Sequence, residues 1–486
     1  MDSSAGVNGS LPPEPEGSKL STSLPIWGVA GVLLILVAVR VVALGADPPP
    51  WLSWSGGLYT DEGFYTLDAR HAALWGTWAR GDFHDRLLSP PLSALQQGVF
   101  YAFGAGLVQA RSISVVFGLL TLGVFGWGMR AAGGPRAALW TVGLLGLAPP
   151  FVLYNRLALQ ETPAAFWLCL AFALWARGGR APSGTAMTLA GAAAGLALTI
   201  KGLAIIALPA LLWGGVQKGR IGRSVWVGLA LVLAAYGLLW YLPHHAELAR
   251  MGRYYGRHQF TPHSLRSVWL NVRRGLLGDR MGIMRGVVPY LLVMMPVPCL
   301  LAALGARSRA LPERVLTLWL AGGLAFCLLL SYAPDRYYVL FLPPLAGLAG
   351  CALASMSVKR QWAWGSAFAI TSALWLGTAW QGRTYTERDT ATALAKQLPP
   401  GSVVIGDVAP ALCLGTGLDA APVQPGLSNT VRPVETLGAD YAAIMRAPVY
   451  THWWTARYPQ LVQPARRVAA LRVGNKRIVD VYRVKP

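Results

Sequence analysis

Apolar residues in this chain come in long unbroken runs separated by short basic connections, without strand-like alternation inside the runs. A run of about 17 to 25 apolar residues suits a helix that crosses roughly 30 Å of hydrocarbon, whereas a barrel strand would alternate. Helices are therefore the predicted spans, because only elements that satisfy their own backbone hydrogen bonds persist in lipid. The runs fall at 26–44, 110–129, 137–154, 162–177, 183–199, 203–217, 224–242, 287–305, 314–332, 337–355 and 362–380, about eleven helices by hydropathy. Residues 185–217 could form one tilted helix, but the basic clusters at both ends favour two helices with a turn near Lys201 and Gly202.

The connections set an orientation. Arg130 and Arg136, Arg177 and Arg180, Lys218 with Arg220 and Arg223, Arg307 with Arg309 and Arg314, and Lys359 with Arg360 all fall on one side if the N-terminus is cytoplasmic. By the positive-inside rule that side is the inside. The opposite, outer side then holds residues 45–109, the turn at Arg156 to Glu161, the turn at Lys201, the loop 243–286, the turn at Arg336 and everything after Trp380. In the first of these, Leu92 to Phe103 is too polar at Gln96 and Gln97 to span, and reads as a helix lying in the interface.

From about Arg383 the composition becomes that of a soluble module. A helix is expected near Asp389 to Gln397, a strand at Val403 to Ile405, and a hairpin from Val468–Val473 and Ile478–Val484 around Gly474 and Asn475. The predicted fold class is a polytopic α-helical membrane protein with a small C-terminal extracytoplasmic α/β domain. Its parts are a tail at 1–24, a membrane domain at 25–382 and the module at 383–486.

Composition agrees. With 54% hydrophobic and 13% charged residues in 486, a soluble chain would need an outsized core. The net charge of +21 sits between apolar runs rather than on one stripe, which excludes a nucleic-acid partner in favour of membrane lipids. The tail carries Asp2, Glu14, Glu16 and a single Lys19, unlike a signal peptide, and 26–44 is too long for a cleaved segment. Cys169, Cys299, Cys327, Cys351 and Cys413 are odd in number and scattered, so no disulfide framework is expected.

Candidate chemistry lies on the outer side. Asp61 and Glu62 stand within Tyr59 to Tyr65, where a partly desolvated carboxylate can act as a base toward an acceptor hydroxyl; the plainer account is an interfacial loop with aromatic anchors. Arg156 and Glu161 frame a turn before a span, and an acid at a helix N-terminus also has a purely structural account. Lys201 follows Leu198, Thr199 and Ile200 and could simply snorkel to the headgroups. The loop 243–286 holds Arg250, Arg253, Arg257, Arg266, Arg273, Arg274, Arg280 and Arg285 against Glu247 and Asp279. So basic an outer loop suits a phosphate, or anionic headgroups. Arg336 precedes Tyr337 and Tyr338 at the start of a span.

Taken in order, Asp61–Glu62, Pro90–Pro91–Leu92, Arg156 with Glu161, Leu198–Thr199–Ile200–Lys201–Gly202, and Arg336–Tyr337 before Pro343 resemble the GT-C glycosyltransferases. The similarity is to bacterial relatives of protein O-mannosyltransferases and lipid A aminoarabinose transferases, and it spans roughly residues 26 to 350. It implies that Asp61, with Glu62 beside it, is the catalytic base or its orienter, and that Glu161 shapes the site. Arg156, Lys201 and Arg336, with Tyr337, would bind the donor's phosphate. Two departures stand out. Ser89 occupies the place where relatives often carry Lys or His before the paired prolines, a contact that Arg86 or Arg253 and Arg257 would replace, and Glu161 stands where Asp is common.

The implied partners are a polyprenyl-phosphate sugar donor and a glycan, glycolipid or protein acceptor, at the plasma (inner) membrane. His and Cys spacing completes no metal site, so no cofactor is required by this reading, although related oligosaccharyltransferases use a divalent cation at matching acids. A transporter of lipid-linked sugars is the alternative, but it would place ionisable residues or broken helices near mid-membrane, where these spans are almost free of charge.

Overall fold

The computed structural model describes residues 26–52, 60–178, 183–259, 265–278, 286–330, 332–425, 428–474 and 477–485. The N-terminal tail, Tyr59, Arg180, Asp279, Arg280, Arg285 and Asn475 lie outside them, as do the side chains of residues 26–29 and 253–259. The described chain is mostly helical, with one five-stranded sheet near its C-terminus.

Each hydropathic run becomes helical, but the count of eleven spans is not established. Among the described residues, three helices are long and apolar enough to cross a membrane: Leu107–Gly146, Gly219–Tyr241 and Leu311–Leu329. The run at 287–305 breaks into Val287–Met294 and Pro296–Gly305, bent by 106°. Pro296 lacks an amide hydrogen, and Met295 leaves the helical region at φ −141°, ψ 52°. Leu107–Gly146 is interrupted at Gly134, where φ is 87° and ψ 177°, followed by Pro135. The predicted 137–154 run stops early, at Gly146, and Pro149–Asn155 is a separate short helix. Gly184–Ile200 and Leu208–Gln217 flank Lys201 and a 3-10 turn, Gly202–Ala207, as the two-helix reading expects.

The sheet runs β1 (Val403–Gly406), β2 (Asp419–Pro422), β3 (Tyr441–Met445), β4 (Arg467–Val473) and β5 (Arg477–Arg483), in the spatial order β2-β1-β3-β5-β4. β1 pairs in parallel with both β2 and β3, while β3–β5 and β4–β5 are antiparallel. The strand near Val403 and the terminal hairpin match expectation; β2 and β3 do not appear in the sequence reading. The sheet has its own apolar core, from Val404, Ile405, Leu412, Ala442, Trp454 and Val481.

Side chains of the 60–82 segment fasten this module to the helices. Arg70 donates to the carbonyls of Leu414, Thr416 and Leu418 at 3.1, 2.8 and 2.6 Å. His71 and Arg80 meet Asp419 at 3.2 and 2.6 Å. Asp47 accepts from the Thr386 amide at 2.8 Å and the Glu387 amide at 3.1 Å, capping the helix Thr386–Gln397. Gly63 lies directly on the backbone of Pro410 and Ala411, where a Cβ has no room.

At the centre of this junction Glu62 and Arg111 form a buried bidentate pair, Nε–Oε1 2.8 Å and Nη2–Oε2 2.6 Å. Arg111 also donates to the carbonyls of Leu44 and Ala46 at 2.9 and 2.6 Å. The Ala158 amide donates to Glu62 at 2.8 Å. Removing one partner of such a pair leaves a buried charge uncompensated, so Arg111→Met is expected to destabilise the fold by about 3–5 kcal/mol. A thermal melt of the purified variant that coincides with wild type would refute this.

Asp407, at the end of β1, is buried, and burial pushes its carboxyl up to about 7. The folded chain then holds a proton that the unfolded chain releases near pH 4, so the stability Asp407 contributes falls as pH rises from about 4 to about 7. Asp407→Asn is expected to flatten that part of the pH dependence of the melting temperature; an unchanged slope would show that Asp407 titrates normally.

Candidate active site

Asp61 and Glu62 are neighbours on the short helix Thr60–Phe64, and successive helical side chains point about 100° apart. With Glu62 committed to Arg111, Asp61 turns the other way. It keeps 30% exposure and meets Arg336 Nη1 at 2.8 Å. Arg336, on the 3-10 helix Asp335–Leu340, reaches Glu161 with Nε at 3.3 Å, and Lys201 reaches the same Oε1 of Glu161 at 3.2 Å. Four residues from four elements thus form a continuous ionic chain, Asp61–Arg336–Glu161–Lys201, with no net formal charge.

Local structure suits each charge. Glu161 opens the helix Glu161–Arg177 and Lys201 closes the helix Gly184–Ile200, so each faces the helix end whose partial charge it complements. Glu161 is fully buried, while Arg336 and Lys201 are 6% and 11% exposed. Of the two carboxylates in the chain, Asp61 is the accessible one. Lys201 Nζ also donates to the Tyr65 hydroxyl at 3.3 Å and to Gln160 Oε1 at 3.2 Å. The Tyr337 ring lies 5.2 Å from the Arg336 guanidinium and 5.7 Å from Lys201 Nζ.

Tyr332 hydrogen-bonds Arg336 and feels the charges of Asp61 and Lys201. Neither it, Gln160 nor Arg111 was singled out by sequence. Tyr65 stands one turn after Asp61, the spacing at which helical neighbours meet, whereas Tyr332 lies on the extended stretch that leads into the 3-10 helix of Arg336.

Other expected site residues lie elsewhere. Glu62 is withdrawn from the cluster by Arg111, because a fully buried carboxylate holds its charge only against such a partner. Arg156 donates to the carbonyls of Val39, Arg40, Val42 and Ala43 at 2.7 to 3.1 Å, closing the end of the helix Ile26–Val41. Its guanidinium satisfies carbonyls that the helix end leaves orphaned, so the anchoring account of Arg156 is the one its geometry favours. A cavity of about 70 Å³ beside it, lined by Asp47, Arg111, Trp380 and Arg383, includes none of the four ionic residues.

Arg86 packs against Trp78 and Trp240, 5.2 and 6.0 Å from their ring centres, and its amide donates to Asp68. Arg253 and Arg257 lie on the helix His245–Gln259, their side chains outside the described residues. Among the described residues no group of three or more His, Cys, Asp or Glu side chains gathers into a metal site.

The fold is that of the GT-C glycosyltransferases, the class the sequence resembles. More particularly, residues 89–220 match the family model of dolichyl-phosphate-mannose-protein mannosyltransferases. Among solved structures, the chain is similar to ArnT from Cupriavidus metallidurans in the apo state, with TM-score 0.65, 18% identity, and 93% of this chain and 98% of that chain covered. The same protein bound to undecaprenyl phosphate gives TM-score 0.62 and 20% identity over 93% and 98% of the two chains. The oligosaccharyltransferase of Archaeoglobus fulgidus in complex with zinc and sulfate gives 0.57 and 15% over 85% and 67%. Curated protein sequences give no match.

Since Arg156 holds a helix end, Arg156→Ala is expected to lower thermal stability by about 1–2 kcal/mol. A thermal melt of the variant that coincides with wild type would show that Arg156 does not anchor the helix end.

Proposed function

We propose that this protein transfers a sugar from a polyprenyl-phosphate donor to an acceptor hydroxyl at the extracytoplasmic face of the membrane. The observation that carries the reading is the accessible Asp61 carboxylate, held by an arginine that is itself anchored to a buried Glu161–Lys201 pair. The GT-C fold supports it, and ArnT with that fold is seen bound to undecaprenyl phosphate. The orientation follows from the basic connections at 130–136, 177–180, 218–223, 307–314 and 359–360, which on the positive-inside rule are cytoplasmic and leave the ionic chain and the 383–486 module outside. No nucleotide sugar is available there, so a lipid carrier must deliver the sugar.

In this mechanism Asp61 takes the proton of the acceptor hydroxyl as its oxygen bonds to the anomeric carbon. The bond from that carbon to the phosphate oxygen breaks, and the electron pair leaves with the polyprenyl phosphate. Displacement in one step inverts the anomeric centre. Lys201 and Arg336 stabilise the charge that grows on the departing phosphate, each contributing on the order of 3 kcal/mol. They also supply the positive charge between the two acids, so this mechanism assigns no step to a metal ion.

A panel of synthetic undecaprenyl-phosphate sugars, with release of undecaprenyl phosphate followed by chromatography, tests the reading. Wild type should turn over at least one donor. Asp61→Asn should lower its rate by about 10²–10⁴, the span attributed to a positioned base, while donor binding stays intact. Turnover of Asp61→Asn at the wild-type rate would sink the assignment of the base.

A further inference from the structure

The C-terminal sheet brings a second set of polar residues to the same place. Its three parallel strands run in the order β2-β1-β3, so the chain leaves β1 toward β2 on one side and reaches β3 on the other. Ligands of open parallel sheets bind outside the carboxyl ends of the strands, at such a switch point. Here each parallel strand delivers one polar side chain to that edge. Asp407 directly follows β1, Gln424 lies just past β2, and Tyr450 sits in the first turn of the helix Pro448–Arg457 after β3.

Two of the three are hydrogen-bonded, and the set lies within electrostatic range of the ionic chain. Tyr450 hydrogen-bonds Gln424, and its hydroxyl lies within electrostatic range of Asp61, Asp407 and Tyr332. The helix that follows β1 lies against Gly63, on the turn that carries Asp61, through Pro410 and Ala411. The carboxyl edge of the sheet therefore lies beside the short helix that carries the accessible carboxylate.

We propose that this edge is the acceptor subsite, in which Tyr450 and Gln424 hold a sugar unit of a glycan or glycolipid with its reacting hydroxyl toward Asp61. The inference rests on the transferase reading above. The chemistry of the edge selects the ligand class. A phenol and a carboxamide, with Asp407 buried behind them and its Oδ1 accepting from the Met445 amide, offer uncharged donors and acceptors, which suit hydroxyl groups better than phosphates or ammonium groups. Tyr450 is buried and Gln424 half-buried, so the subsite reads the hydroxyl edge of a ring.

The test compares two fates of one donor: transfer to water, and transfer to a mixture of methyl glycosides, with a Ser/Thr peptide mixture as a parallel arm. Tyr450→Phe keeps the ring and its packing, and should lower glycoside transfer about tenfold, the loss of one hydrogen bond, with donor hydrolysis within about twofold of wild type. Gln424→Ala, at a half-buried position, should shift the partition the same way and supplies the measurement if the first variant does not fold. Equal losses in hydrolysis and transfer, or no change in either, would overturn the subsite alone. Modification of peptides but not glycosides would overturn the sugar class. No release of undecaprenyl phosphate by wild type from any donor would overturn the transferase reading, and the subsite with it.

Discussion

A carboxylate and a guanidinium removed from water are tolerated only when they satisfy one another, and the Glu62–Arg111 pair shows how much structure that requirement organises. Arg111 sits on the long helix Leu107–Gly146, Glu62 on the helix Thr60–Phe64, and their remaining hydrogen-bonding capacity is taken by the Leu44 and Ala46 carbonyls and the Ala158 amide. The pair therefore fixes four pieces of chain at once. Its stabilising value is small in principle, because desolvation offsets most of the Coulombic gain. Its positional value is large. Once Glu62 points at Arg111, helical geometry turns Asp61 about 100° away from it, toward Arg336.

The ionic chain Asp61–Arg336–Glu161–Lys201 has a consequence for the proposed reaction. Two cations balanced by two carboxylates leave the cluster neutral, which keeps it tolerable at low exposure. When Asp61 takes the acceptor's proton it loses its claim on Arg336, and the cluster becomes net positive. In the same step the departing polyprenyl phosphate gains charge. Arg336 is thus released from one anion as another forms beside it, and little reorganisation is asked of the protein. Glu161 keeps both cations in place throughout.

Hydropathy made the helices legible, since lipid leaves the backbone few alternatives. It could not separate a straight span from the 106° bend at Met295 and Pro296, because apolarity says nothing of direction. Asp61, Glu161, Lys201 and Arg336 were legible as charges placed where charge is costly. Glu62 and Arg156 carried the same signal and lie elsewhere, since a charge beside a membrane face can serve a ligand or an orphaned carbonyl equally well. What separates Asp61 from Glu62 is one helical step, and its meaning depends on Arg111, a residue 49 positions from Glu62. The strands β2 and β3 escaped notice because Asp419–Pro422 and Tyr441–Met445 are short, fully buried and rich in alanine, and so lack the alternation that marks a half-exposed strand.

The fastening of the sheet bears on how an acceptor reaches the site. Arg70 closes on three carbonyls, His71 and Arg80 share Asp419, and Asp47 caps the helix Thr386–Gln397. These contacts join the back of the module to the segment that carries Asp61, and several are buried, where breaking them strands polar groups without water. Opening the site by swinging the whole module away would break all of them together. The stretches after β1 and β2 are held too, by Gly63 against Pro410 and Ala411 and by the Asp82–Asn429 hydrogen bonds of 2.7 and 2.8 Å. Under the proposed function the rigid junction therefore holds Asp61 and the sheet edge at a fixed separation, and the acceptor is selected by what fits between them.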